Sequence, residues 1–301
     1  MIARQRFASE NEKKEYVKEC DGDFEKRLDD VMKSLCETEG LRFVTLSGPT
    51  CSGKTTASRK MVSEFKERGK NVKIISIDDF FKDRTVLERE AMQSGGKLDF
   101  DSEKALDLPE LADFMKRIQR GESARLPRFD FVEARRVRYD SFSATENDIV
   151  IFEGIQAIYP AFTSLIEKGS GLKSFYISPL QSLAVGDHVI RPREIRLWRR
   201  IVRDYKYRAA SPEFTFHLWE SVTENEDKNI IPYAGSTDFS IDSLLGYDAG
   251  MLKGCLTELL SEVKTGSKYY QRAEDILNIL DSVDSISPSY LPENSLYHEF
   301  V

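Results

Sequence analysis

The chain has 301 residues, 40% of them hydrophobic, which is enough for one large domain or two small ones. Its net charge of −7 gives no electrostatic basis for binding nucleic acid or an anionic membrane. No apolar run approaches the ~20 residues that a membrane span needs, and the N-terminus lacks an apolar signal core. The cysteines, which show no disulfide-like spacing, are Cys20, Cys36, Cys51 and Cys255. We therefore expect a cytoplasmic protein with free thiols and no nucleic-acid or membrane partner.

Residues 1–40 are strongly charged and carry a helical pattern. One face of the segment 23–36 collects its apolar side chains, which are Phe24, Leu28, Val31, Met32 and Leu35. The pattern predicts an N-terminal helical segment, 1–40, packed beside the core. It leaves open whether this helix also forms a contact between identical chains.

A glycine-rich loop at residues 48–56 reads GPTCSGKTT and fits G-x-x-x-x-G-K-[ST]. An apolar run at 41–47 predicts a strand before it, and 56–70 predicts a helix after it. In this context the backbone amides point at phosphate oxygens, the lysine reaches the outer phosphates, and the following hydroxyl can ligate magnesium. The predicted nucleotide-binding residues are Gly48, Pro49, Thr50, Cys51, Ser52, Gly53, Lys54, Thr55 and Thr56. A glycine-rich turn without a ligand is the alternative, and Cys51 is interpreted as a small loop filler rather than a redox switch.

Two carboxylates, Asp78 and Asp79, follow a second predicted strand at 71–77. Ligands of open parallel sheets lie at the carboxyl ends of strands, so both residues should share an edge with the glycine-rich loop. A carboxylate there can accept a proton from an attacking hydroxyl or hold magnesium through water. The alternative is a helix N-cap, for which aspartate is well suited.

About 70 residues separate this strand from the next. Because a plain crossover needs fewer residues, we predict that 80–147 forms an insertion on the substrate side. It contains an acidic loop ending at Asp101, whose default interpretation is an N-cap, a helical stretch at 103–120, and a basic stretch at 125–138. Phe129 and Phe131 alternate as in a strand, and they could equally be core residues.

A third strand, 148–152, ends at Glu153, and a fourth is predicted at 172–177. Near-continuous apolar strands separated by helices predict a parallel sheet covered on both faces. An unpaired carboxylate beside a core is costly, so Glu153 is predicted to hold a metal or position water.

The helix predicted at 192–209 carries a stripe of arginines. A solvated face is the ordinary interpretation, but after the sheet of a phosphate-loop protein a lid at about 190–212 can bring guanidinium groups onto the transferring phosphate. The candidates are Arg199, Arg200, Arg203 and Arg208. Two further helices, at 247–264 and 268–283, are expected to pack with the tail to 301 against a core of 41–246.

Taken in order over roughly 41–252, these motifs resemble the uridine kinase / phosphoribulokinase family. The matching segments read GPTCSGKTT, SIDDFF, LDFD, LPRFDF, DIVIFEGIQAIYP and RLWRRIVRDYKYR. The likeness is strongest to bacterial uridine-kinase-related proteins. Some of those proteins carry extra N-terminal domains, and residues 1–40 are too few to form such domains. The resemblance implies an α/β P-loop NTPase fold of the nucleoside-kinase type, with a parallel sheet, helices on both faces and an arginine-rich lid helix.

The resemblance also implies roles for single residues. Asp78 matches the catalytic base, with Lys54 and Arg203 beside it in catalysis. Arg200 matches a phosphate-binding lid position, and magnesium would be held by Thr55 and Glu153. The substrate positions are Asp79, Asp101, Phe129 and Arg208. ATP and Mg²⁺ are the implied cofactors, and the acceptor is a small molecule, in the first place a nucleoside.

Three positions depart from the pattern of uridine–cytidine kinases. Phe129 stands where they have tyrosine, Ala134 where they have histidine and Ala210 where they have arginine. Because a site without such polar groups reads a pyrimidine differently, another hydroxyl acceptor stays open, such as a sugar phosphate, pantothenate or glycerate. A regulatory module that binds a nucleotide with little turnover is also left open. The sequence decides neither between ATP and GTP as donor nor whether the chain forms a homo-oligomer.

Overall fold

The computed structural model of the chain describes residues 1, 4, 6–94 and 102–301. Its core is a five-stranded sheet in which all neighbouring strands are parallel, in the order β2-β5-β1-β6-β9. The strands of this sheet are β1 (Phe43–Ser47), β2 (Asn71–Ser76), β5 (Asp148–Glu153), β6 (Leu172–Ser178) and β9 (Phe239–Asp242). The four strands predicted from apolar runs are thereby confirmed, and β9 adds an edge strand.

Helices cover the sheet, and two short hairpins lie outside it. The helices are α1 (Glu10–Cys36), α2 (Lys54–Glu67), α3 (Arg84–Ser94), α4 (Leu108–Gln119), α5 (Pro160–Thr163), α6 (Pro192–Arg208), α7 (Pro212–Asn229), α8 (Ile231–Ala234), α9 (Asp248–Ser261) and α10 (Tyr270–Leu280). The antiparallel hairpins are β3 (Ala124–Asp130) with β4 (Arg135–Phe142), and β7 (Leu183–Val185) with β8 (His188–Ile190). The strand alternation at Phe129 is thus part of a hairpin within the long insertion.

The two faces of the sheet build two separate hydrophobic clusters. In β5, Ile149 and Ile151 belong to one cluster, while Val150 and Phe152 belong to the other. This division follows from the two-residue period of a strand, which points successive side chains to opposite faces. The first cluster contains α1, α2, α6, α9 and α10, and the second contains α4 and the β3–β4 hairpin.

The N-terminal helix α1 lies within the predicted segment 1–40 and begins at Glu10, where its N-cap Ser9 accepts a hydrogen bond from the Glu12 amide. Leu28 and Leu35 are fully buried in the first cluster. The apolar face of α1 is therefore part of the core. Over the described residues, no helix combines the length and hydropathy that crossing a membrane requires.

Candidate active site

The glycine-rich loop follows β1, the central strand of the sheet. At Gly48 the loop backbone lies too close to β6 for any side chain. A Cβ at Gly48 would lie 2.3 Å from the carbonyl oxygen of Ile177 in neighbouring β6. Gly53 has a φ of 95° and forms the N-cap of α2 without a side-chain hydrogen bond. The first amides of α2 therefore open toward the loop, as an anion site at a helix N-terminus requires.

The side chains of this loop suit a polyphosphate. Lys54 folds back over the loop, and its Nζ donates to the carbonyl oxygens of Gly48 at 2.7 Å and Pro49 at 3.0 Å. The hydroxyl of Ser52 is buried and has no hydrogen-bond partner among the described residues. A half-buried ammonium resting on loop carbonyls and an unsatisfied buried hydroxyl are both groups that a phosphate can engage.

Three carboxylates act electrostatically on the lysine. Burial lowers the pKa of the Lys54 ammonium, and Glu153, Glu299 and Asp78 act against that decrease, in this order of strength. Glu153 ends β5 in register with Ser76 of β2, and Asp78 follows two residues after Ser76. A Cβ at Gly154 would lie 3.6 Å from the Asp78 carboxylate. The predicted meeting of these strand ends with the loop is therefore present in the structure.

Asp79, predicted to bind the substrate, holds the β3–β4 hairpin. One of its oxygens accepts from Nη1 of Arg128 at 2.9 Å, and the other accepts from the amide of Phe129 at 3.2 Å. The ring of Phe129 packs edge-on against Phe81 and Phe131, with ring centres 5.7 and 5.3 Å away. The aromatic cluster of these three residues thus sits where Asp79 fastens the insertion to β2. Asp101 lies outside the described residues.

The arginines of α6 divide into two groups. Arg199 is fully buried, pairs with Asp248 through both carboxylate oxygens at 2.7 and 2.8 Å, and lies 3.4 Å from the Cys51 carbonyl oxygen. Arg196 pairs with Glu226 and donates to the Thr50 carbonyl. Arg199 was expected to bind the transferring phosphate. Instead its guanidinium stabilises the loop from the core side, because its donors are already bonded to protein acceptors.

The other group gathers around Asp204. Arg200 at 3.0 Å, Arg203 at 2.8 Å and Arg208 at 3.3 Å all pair with this one buried carboxylate. Arg203 also donates to the Thr50 hydroxyl at 3.3 Å. With Pro49 and Thr50, the three arginines line a cavity of about 190 Å³ beside the loop. The arginines predicted for phosphate binding at Arg200, Arg203 and Arg208 therefore converge on the loop's edge.

Some residues of the site were not anticipated from the sequence. Asp204 could have been found, because it stands four residues after Arg200 and four before Arg208, the spacing of neighbours on a helix face. Asp248, Glu226 and Glu299 reach the site from distant segments. No local spacing indicates them.

Comparison with known proteins identifies the family of the chain. The family model described as "Phosphoribulokinase / Uridine kinase family" matches residues 43–248, from β1 to the start of α9. The chain belongs to this family. It is accordingly an ATP-dependent small-molecule kinase with a P-loop fold.

Individual members of the phosphoribulokinase / uridine kinase family are distant in sequence. The uridine kinase of Aliivibrio salmonicida is 23% identical over 224 residues, which cover 70% of this chain and 94% of the relative. The uridine kinase of Lactobacillus helveticus is 24% identical over 212 residues, covering 67% and 90%. Among solved structures, the YGR205w protein superimposes with a TM-score of 0.51 and 16% identity over 70% of this chain and 89% of that one. The predicted family and fold are confirmed.

Proposed function

We propose that this kinase transfers the γ-phosphoryl group of ATP to the 5′-hydroxyl of a nucleoside, uridine or cytidine. One observation supports the phosphoryl-transfer site above all: the strand ends that carry Asp78 and Glu153 meet, since Glu153 is in register with Ser76 and a Cβ at Gly154 would lie 3.6 Å from the Asp78 carboxylate. The relatives named uridine kinase support a nucleoside as acceptor.

In this proposal each group acts through its position. The loop amides, Lys54 and the arginine pair Arg200 and Arg203 hold the phosphates and their growing negative charge. Asp78 accepts the hydroxyl proton as the acceptor oxygen forms its bond to the γ-phosphorus, and the bond to the bridging oxygen of ADP breaks.

Magnesium fits the same site. The Thr55 hydroxyl and the Glu153 carboxylate are the groups that would hold it, since magnesium is usually bound by one or two protein oxygens together with substrate phosphates and water. When bound, it neutralises phosphate charge.

The acceptor pocket is proposed at the aromatic cluster of Phe81, Phe129 and Phe131, which offers ring faces and edges to a planar base. A phosphorylated acceptor would need free cationic groups on the hairpin. Instead Arg135 pairs with Glu133, Arg138 with Asp140, and Arg136 with Asp107 and Glu110. Arg136, the least exposed of the three, is neutralised by two carboxylates, and this favours an uncharged acceptor such as a nucleoside over a sugar phosphate.

The test is a panel of acceptors supplied with ATP and magnesium: uridine, cytidine, purine nucleosides, ribulose 5-phosphate, pantothenate and glycerate. ADP release and the product, followed by ³¹P NMR, should report a nucleoside 5′-monophosphate. Asp78→Asn should lower kcat by about 10²–10⁴-fold, the usual contribution of a general base, while ATP affinity is preserved. Asp187→Asn, an equivalent change of an exposed turn residue, is the control.

Each other outcome has a defined meaning. Near-full turnover of Asp78→Asn would remove that residue from catalysis. If only a non-nucleoside is phosphorylated, that compound replaces the nucleoside as the proposed acceptor. If ATP binds tightly but no compound of the panel is phosphorylated, a regulatory nucleotide-binding module is favoured.

A further inference from the structure

The tail of the chain places a carboxylate inside the glycine-rich loop. The last helical turn, Leu296–Glu299, ends with Glu299, whose Oε1 accepts from the amide of Thr56 at 2.8 Å and from the Thr56 hydroxyl at 2.9 Å. These two residues are 243 positions apart in the chain. The contact thus joins the C-terminus to the predicted phosphate cradle.

The position of this carboxylate is one that a phosphate oxygen would take. Thr56 is the third residue of α2, and the amides of a first helical turn have no acceptor within the helix. The N-cap, Gly53, has no side chain that could supply one. In a glycine-rich loop of this kind, these amides are the donors that receive nucleotide phosphates.

The charge of Glu299 acts on the same groups that a phosphate would meet. It contributes to the electrostatic environment of Lys54, Glu153 and Arg203. A phosphate entering the loop would bring further negative charge beside this carboxylate. Like charges at this separation repel, so the two anions compete for one set of donors.

The tail itself is firmly attached. Leu296, Tyr297 and Phe300 are fully buried, and the Tyr297 hydroxyl donates to Asp248. The ring of Phe300 lies 5.2 Å from the guanidinium of Arg199. Glu299 is half-buried between these anchors. Its carboxylate can therefore leave Thr56 by rotation of one side chain while the backbone of the tail stays in place.

We propose that Glu299 is an internal competitor of the nucleotide: its carboxylate occupies a phosphate position at Thr56 in the free enzyme and must turn away when ATP binds. The C-terminal tail thereby sets the nucleotide affinity. This inference rests on the proposed binding of ATP phosphates by residues 48–56.

Calorimetry with a non-hydrolysable ATP analogue and magnesium tests the competition. Glu299→Gln keeps the shape and removes the charge, and Glu299→Ala removes the acceptor as well. Both should bind the analogue at least about 5-fold more tightly than the wild type, the lower end of usual coupling effects. Glu293→Gln, the same change at an exposed position of the same tail, should bind like the wild type.

A second readout follows the Thr56 amide directly by ¹H–¹⁵N NMR. Its resonance should differ between wild type and Glu299→Gln in the free proteins and coincide in the nucleotide complexes. Equal or weaker nucleotide binding by both Glu299 variants, or a Thr56 difference that persists in the complex, would overturn the competition. Absence of nucleotide binding in the wild type and both variants alike would instead overturn the proposed site, and this inference with it.

Discussion

Glu153 lies at the end of a buried strand, where a carboxylate has lost part of its hydration. Burial raises the pKa of this carboxyl group, the charge of Glu299 adds to the increase, and the ammonium of Lys54 opposes it. The proposed magnesium-side role needs the ionised form. The pH below which Glu153 is protonated and loses this role therefore lies above the ordinary pKa of a glutamate.

This shift predicts a pH dependence of stability that can be isolated with one variant. Because the folded protein binds the Glu153 proton more tightly than the unfolded chain, this residue favours folding at acidic pH, and that contribution is lost as pH rises through the raised pKa. Urea unfolding should be measured for the wild type and for Glu153→Gln at a series of pH values. As pH rises from the ordinary glutamate pKa through the raised pKa, the unfolding free energy of the wild type should decrease relative to that of Glu153→Gln. A difference independent of pH across this window would contradict the shift.

At the scale of one element, α6 carries arginines with opposite surroundings on a single helix. Arg199 lies in the core with both ends of its guanidinium held, whereas Arg193 is partly exposed and pairs with Asp227 at 2.6 Å. Both are long cationic residues of the same helix. Their packing partners, which come from α7 and α9, decide what each contributes.

The two arginines should respond differently to the same substitution. Arg199→Met should lower the free energy of unfolding by about 3–5 kcal/mol, because it leaves the carboxylate of Asp248 buried without its cationic partner. Arg193→Met, the matched control, should cost about 1 kcal/mol or less, because its pair with Asp227 is largely exposed and Arg196 still neutralises its second partner, Glu226. Urea denaturation of both variants gives the comparison, and equal losses would contradict the cost assigned to an unpaired Asp248.

The β3–β4 hairpin shows a similar dependence on distant partners. Of its two alternating aromatics, Phe129 lies in β3 as predicted, whereas Phe131 lies in the turn after the strand and is 64% exposed. The attachment of the hairpin through Arg128 to Asp79 and Asp140, at 2.9 and 2.7 Å, joins three segments of the chain. Asp79 was expected to bind the substrate. Its carboxylate instead accepts hydrogen bonds from the hairpin, and the hairpin carries the proposed acceptor pocket.

At the scale of the whole molecule, α1 and the C-terminal helices close the first hydrophobic cluster over one face of the sheet. Leu28 of α1 is fully buried there, among side chains of elements that follow it in the chain. The N-terminal segment therefore contributes to the stability of the kinase core.

Removing this contact should weaken the entire fold. Leu28→Ala should lower the free energy of unfolding by about 2–5 kcal/mol, through lost apolar burial and the cavity left behind. Leu180→Ala, at a leucine that is 46% exposed, should change it by about 0.5 kcal/mol or less. The measurement is urea unfolding followed by tryptophan fluorescence, since Trp198 and Trp219 are both buried in the same cluster. A loss below about 1 kcal/mol for Leu28→Ala would indicate that α1 is only loosely attached.

What the sequence determined by itself was local. The glycine-rich loop, the apolar runs that became β1, β2, β5 and β6, and the carboxylates Asp78 and Glu153 at strand ends were all readable, because backbone geometry and strand burial depend on contiguous residues. The ordered motifs were also sufficient to predict the family. What the tertiary structure decided was the partner of each charged group. Arg199 braces the loop, Asp79 holds the hairpin and Glu299 caps Thr56, since the acceptor or donor that satisfies a buried charge comes from segments that only folding brings together.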